Sequence, residues 1–276
     1  MPVSLGRSHA RALHHLLRNH LLEVACNATW QDIHRAFELG RVERRRLTFS
    51  PRERELLREE AKRHFGWDLI EPLPGEDRIQ AASQAIDEKL APQRPDDGFV
   101  LAKGVLPVPL PALPTGCSLR VALDQLDVAA IGHVLVVENL DCFDQIHRFL
   151  LPDNLGDALV LYRGHGAATR GTRQLLQRLP APVTVTVFPD YDPAGLVIAA
   201  TLPQASQLLV PQLTPELLAK GSREHFHRQH LQARHLDSGA LGGWQAVWTE
   251  MKQAGVSIKQ QHMLAFGAAL RCIARA

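Results

Sequence analysis

Four short apolar runs, residues 133–137, 158–162, 183–188 and 208–210, constrain the fold of this chain more than any other feature. Each is rich in Val, Leu or Thr, is too short for a core-spanning helix, and is bounded by turn residues or helical spacing. Such alternation predicts strands joined by crossover helices. The expected fold is therefore α/β, a parallel sheet with flanking helices, preceded by a mainly helical N-terminal domain.

The first 95 residues read as helices over 10–24, 30–37, from Ser50 onward, and over 78–90. The third start is well marked: Ser50 can cap, Pro51 suits the first helical position, and Glu53 completes a capping box. Residues 1–70 hold 13 Lys or Arg against 9 Asp or Glu, with Arg41, Arg44, Arg45 and Arg46 crowded together. That cluster is a candidate phosphate-contacting patch in a winged-helix-like module, and its duller reading is a solvated helix face. Prolines at 92, 95, 107, 109, 111 and 114 then interrupt any long element, although Phe99-Val100-Leu101 fits a strand. The expected organisation is a basic helical domain over 1–95 for DNA or partner binding, a proline-rich boundary over 96–118, and a sheet-bearing domain with C-terminal helices over 119–276.

At 276 residues and 45% hydrophobic content the chain can fill its own core. Cys26, Cys117, Cys142 and Cys272 are scattered and form no C-x-x-C pair, which suits reduced thiols. The start, Met1-Pro2-Val3-Ser4-Leu5-Gly6-Arg7, lacks a secretory pattern, and the uncharged stretch 193–215 is broken by Pro and Gln. The expectation is a cytoplasmic protein with no membrane partner.

The chemistry sits where strands end. In an open α/β sheet the site lies at the carboxyl ends of the strands. There the sequence places Glu138, then Gly164-His165-Gly166, then Asp190-Tyr191-Asp192-Pro193-Ala194-Gly195. Two carboxylates two residues apart in extended backbone face the same way, and Glu138 would approach from a neighbouring strand. Three oxygen ligands suit magnesium better than zinc, and a cation held there can activate water against a phosphodiester. Taken alone, an Asp-x-Asp is more often a helix cap; the ordered set of three strand-end motifs carries the weight.

Val136-Val137-Glu138-Asn139, the Gly164-x-Gly166 turn and the Asp190-to-Gly195 motif together resemble the TOPRIM domain, over residues 131–215. The Asp-x-Asp-Pro-x-Gly form is similar to that of the type IIB topoisomerase A subunit and of the JetD nuclease of Wadjet plasmid-defence systems. The resemblance implies a TOPRIM catalytic domain in which Glu138, Asp190 and Asp192 are catalytic and bind Mg2+, or Mn2+ in its place. It further implies a hydrolytic endonuclease acting on double-stranded DNA with SMC-like ATPase subunits as partners, and leaves a homodimer open. A topoisomerase also needs a tyrosine nucleophile, and Tyr162 and Tyr191 lie in a strand and inside the metal motif. That disfavours the topoisomerase-like alternative; the other alternative is a non-catalytic DNA-binding scaffold. A haloacid-dehalogenase-type phosphatase would have no use for Glu138. The JetD group carries a further acidic residue near its C-terminal helix, where this chain has Ile258-Lys259-Gln260-Gln261-His262.

Phosphate contact is expected of Arg163, Gly164, His165, Gly166, Arg170 and Arg173 around the glycine turn, and of Lys259. His225, His227, His230 and His235 follow no zinc spacing and read as an exposed helix. Trp244 and Trp248 read as core or partner contacts on one helix face.

Overall fold

Ala10, Leu13, Leu16 and Leu17 line one face of a helix, and burying that face organises the first core of the chain. The computed structural model describes residues 5–73, 78–84, 96–165 and 169–276. The chain divides into two units, Met1–Pro95 and Asp96–Ala276.

In the first unit, α1 (Arg7–Arg18) shares a core with β1 (Glu23–Ala25), α2 (Ala28–Phe37), β3 (Arg46–Thr48) and α3 (Pro51–Phe65), while β2 (Arg41–Glu43) is exposed. The strands form a small antiparallel sheet in the order β1-β3-β2. The unit is thus mainly helical, with a sheet that the sequence reading lacked. The helix expected over 10–24 stops at Arg18. His20, at φ 53°, turns the chain left-handed, and the N–H groups of His20 and Leu21 donate to the carbonyls of Leu17 and Leu16. Histidine does there what glycine usually does, so the stop signal was hidden.

The basic cluster is a hairpin rather than a helix face. Arg44 and Arg45 form its turn with φ of 45° and 69°, and all four arginines are exposed. Arg46 pairs with Glu23. Of the helix expected over 78–90, α4 (Arg78–Gln84) is present, and residues 85–90 lie outside the described residues.

In the second unit β4 (Phe99–Gly104), β5 (Leu119–Ala122), β6 (His133–Val137), β7 (Leu159–Tyr162), β8 (Thr184–Phe188), β9 (Ala205–Pro211) and β10 (Leu270–Ala274) form one sheet. Among the described residues its order is β10-β9-β8-β6-β7-β4-β5. The four expected runs became β6 to β9, whose neighbours pair in parallel. At the flanks, β10 on β9, β4 on β7 and β5 on β4 are antiparallel. The sheet is mixed, which corrects the expectation of a parallel one. The added strands, β5 and β10, show the partly buried pattern of sheet edges and lack the continuous apolar signal of the inner strands. Residues 96–118 carry β4 and belong to this unit.

Inner strands are covered on both faces: Val134 to Val137 and Val185, Val187 and Phe188 are all at most 1% exposed. The covering helices are α5 (Leu140–Asp144), α6 (Thr169–Arg178) and α7 (Pro193–Thr201). Between β9 and β10 follow α8 (Pro215–Leu218), α9 (Arg223–Arg228), α10 (His230–Ser238), α11 (Gln245–Ala254) and α12 (Gln260–Ala265). Lys103 of β4 is buried and donates to the carbonyls of Phe143 and Asp144, closing the end of α5. Among the described residues no helix is long and apolar enough to cross a membrane.

The capping box at the start of α3 formed as the sequence indicated, with Glu53 N–H donating to Ser50 Oγ at 3.2 Å and Ser50 N–H to Glu53 at 2.8 Å. Ser50→Ala is expected to destabilise the protein by about 1 kcal/mol, read as a lower urea midpoint. An unchanged midpoint would mean that tertiary packing alone fixes this helix start.

Candidate functional site

Parallel neighbours β6 and β8 run in register, Val137 beside Phe188, so the residues that leave them meet at the carboxyl edge of the sheet. Glu138 follows β6 and its N–H donates to the Phe188 carbonyl at 3.1 Å. Its side chain reaches across, and Oε2 accepts the Asp190 N–H at 3.1 Å. Asp190 and Asp192 follow β8 and are 8% and 1% exposed. Carboxylates this deep need partners for each oxygen.

Those partners are present. Asp190 Oδ1 accepts the Gln260 N–H at 2.8 Å, and Asp192 Oδ1 accepts the Gly195 N–H at 2.9 Å. Both Oδ2 atoms face Lys259, whose Nζ lies 2.9 Å from Asp190 and 3.1 Å from Asp192. Gln229 adds a 3.0 Å bond to Asp192 Oδ2 and accepts the Ala194 N–H at 2.7 Å. Asp192 is therefore a helix cap for α7 as well as half of a carboxylate pair: Oδ1 caps and Oδ2 faces the cation. Gly195 is required by crowding, since a Cβ there would stand 2.2 Å from the Asp190 carbonyl oxygen.

A segment distant in sequence closes the site. Tyr191 and Ile258 form a two-way backbone bridge, at 2.9 Å and 3.0 Å, which sets Lys259 and Gln260 beside the acidic pair. Gln260, fully buried, donates to the Phe188 carbonyl and accepts the Asn139 N–H, both at 2.9 Å, so one side chain ties the exits of β6 and β8 together. Gln229 and Gln260 were not singled out from the sequence. They lie 37 and 70 residues from the carboxylates they hold, beyond any local pattern.

Burial, and then the charge of Asp190, push the Glu138 carboxyl above its ordinary value of 4.5, against the opposing pull of the Asp190 N–H and Arg163. For Lys259, burial works against the charged form, but the hydrogen bond to Asp190 and the charges of both aspartates prevail and hold it above its ordinary value. The Arg163 guanidinium comes within 3.7 Å of Glu138 Oε1, and its buried Nε has no hydrogen-bond partner among the described residues.

The structure thus gathers Glu138, Asp190, Asp192, Arg163 and Lys259. Lys259 sits on the carboxylates themselves. Gly164, at φ 86°, turns the chain after Arg163, and exposed His165 packs edge-on against Tyr162. Arg170 binds Asp97 at 2.5 Å and Arg173 is half-buried on α6. Gly166 lies outside the described residues. The four histidines fall on α9 and α10, while Trp244 and Trp248 are buried and donate to the Ile273 carbonyl and to Asp237.

Among the described residues no three His, Cys, Asp or Glu side chains are arranged as a metal-binding group. Asp190 and Asp192 converge instead on an ammonium. Two carboxylate oxygens that already share one cation have the chemistry a hard divalent ion takes, with Glu138 alongside.

Residues 94–272 match the family described as a domain of unknown function, DUF7281. The chain belongs to this family. The DUF7281 match runs from the residues just before β4 into β10, and so takes in the acidic trio and the segment carrying Lys259 and Gln260. The sequence has no match among curated proteins.

Because folding raises the Glu138 pKa, the native state holds a proton that the unfolded chain releases just above pH 4.5. Its contribution to stability therefore falls as pH rises through that window. In protein freed of metal, Glu138→Gln is expected to gain stability over wild type between acid and neutral pH and to match it at acid pH. Urea unfolding across that range measures the difference, and one that does not change with pH would contradict the assignment.

Proposed function

We propose that this DUF7281 protein is a TOPRIM-type, magnesium-dependent DNA endonuclease that cleaves phosphodiesters by hydrolysis. The observation that carries the reading is the meeting of Glu138 with Asp190 at the ends of adjacent parallel strands, together with the convergence of Asp190 and Asp192 on one cation, the Lys259 ammonium. Asp190 and Asp192 would hold the metal, with Glu138 beside it. A bound magnesium or manganese ion supplies Lewis acidity toward water and phosphate oxygen.

The protein's own groups have separate tasks. Glu138, biased toward its protonated form, is suited to hold a proton and return it to a leaving oxygen. Arg163, whose guanidinium stands 3.7 Å from Glu138, is suited to bind a non-bridging phosphate oxygen through its terminal nitrogens, and the Gly164 turn follows it directly. Hydrolysis is favoured over a covalent protein–DNA link because Tyr191 is buried inside the acidic motif and Tyr162 lies in strand β7. Tyr191 is 1% exposed and its OH donates to Glu250 at 3.0 Å; burial raises the pKa of both Tyr191 and Tyr162. In the first unit, the hairpin of Arg41, Arg44, Arg45 and Arg46 supports a role in gripping the DNA backbone, in the position of a winged-helix wing. A cytoplasmic place, SMC-like ATPase partners and a JetD-like role in plasmid defence rest on the sequence resemblance.

One observation favours a second reading, a DNA-binding scaffold without catalysis: Lys259 already occupies the carboxylate pair that would take the metal. Cleavage of supercoiled plasmid with Mg2+ or Mn2+ separates the two. The expected result is metal-dependent nicking or linearisation, reduced about a hundredfold or more in Glu138→Ala and Asp190→Ala, with no protein attached to the DNA ends. Intact plasmid under all conditions, with folded protein and bound DNA, would favour the scaffold.

A further inference from the structure

The oxygens through which Asp190 and Asp192 share a cation are the two Oδ2 atoms, because each Oδ1 is held by a backbone N–H, from Gln260 and from Gly195. Lys259 Nζ is bonded to both Oδ2 atoms. Asp190 and Asp192 are the residues that would hold a divalent metal, in the place the ammonium now fills. Two cations that close repel strongly, so occupancy is exclusive. The Lys259 side chain is 39% exposed, which gives the ammonium a way out to solvent. Its backbone stays fixed by the Tyr191–Ile258 bridge and by the Gln260 N–H on Asp190. Exchange then needs only rotation of a flexible four-carbon stem.

We propose that Lys259 is a tethered cation that fills the Asp190–Asp192 position in the metal-free protein, and that a divalent metal enters by displacing it. The inference rests on the metal-dependent reading above and adds how that site is regulated. Lysine offsets part of the charge of a buried like-charged pair while metal is scarce, and lowers the affinity the two carboxylates would otherwise have. When metal enters, the released ammonium stays at the mouth of the site, where an anionic substrate can take it as a partner.

The test is Mn2+ binding, followed by the loss of the free-ion electron paramagnetic resonance signal, in wild type, Lys259→Met and Lys259→Gln. Both variants, checked for folding by circular dichroism, are expected to bind Mn2+ about tenfold or more tightly than wild type. Adding Asp192→Asn to either variant is expected to abolish that gain. In EDTA both single variants should melt below wild type and recover on addition of Mn2+. Equal or weaker Mn2+ affinity in a folded Lys259 variant, no binding in any form, or a gain that survives Asp192→Asn would overturn the proposal. The outcome is separable from cleavage. Tighter binding with intact plasmid would sink the nuclease reading alone, and metal-dependent cleavage with unchanged affinity would sink the exchange alone.

Discussion

The site depends on a short backbone contact, the bridge between Tyr191 and Ile258 at the exit of β8, which the neighbouring Ser222–Ser257 bridge supports. It fixes where the segment before α12 lies, and that segment supplies the Gln260 N–H and the Lys259 ammonium to Asp190. Without it, two aspartates at most 8% exposed would stand close together with few donors. An unpaired buried charge is costly, and removing one partner of a buried pair typically destabilises by several kcal/mol, about 3–5. The acidic pair and the C-terminal segment therefore form one unit: neither arrangement is stable in its present form without the other.

The same logic explains why so many bonds at this edge are made by glutamines and backbone N–H groups. Gln260 spans from Phe188 to Asn139, and Gln229 from Ala194 to Asp192, each using donor and acceptor of one amide. These neutral contacts orient the carboxylates without cancelling their charge. Charge is met separately, by Lys259 on the aspartates and by Arg163 near Glu138. A site built in this way would keep its geometry under the proposed exchange of the Lys259 ammonium for a metal.

Much of this was legible in the chain. Runs such as Val183 to Phe188 are continuous and β-branched because both faces of the inner strands are covered, and acidic residues at their ends fall at the sheet edge by topology. Ser50-Pro51-Arg52-Glu53 announced a helix start because capping is local chemistry. What stayed hidden depended on distant contacts or on unusual residues. The strands β1, β2 and β3 are three residues long and carry no periodic signal. His20 closed a helix without glycine, and edge strand β10 shows no continuous apolar run. The bonds of Lys259 to Asp190 and Asp192 were not legible because nothing nearby in sequence reveals carboxylates 69 and 67 residues away.

Anomalous diffraction from crystals grown with Mn2+ asks whether Asp190 and Asp192, with Glu138 beside them, take a metal ion at the ends of β6 and β8. The expected result is a manganese peak bonded to Oδ2 of both aspartates, with the Lys259 ammonium turned out of its present position. An absence of any peak there, with Lys259 still bonded to both carboxylates at saturating Mn2+, would contradict the proposed metal site.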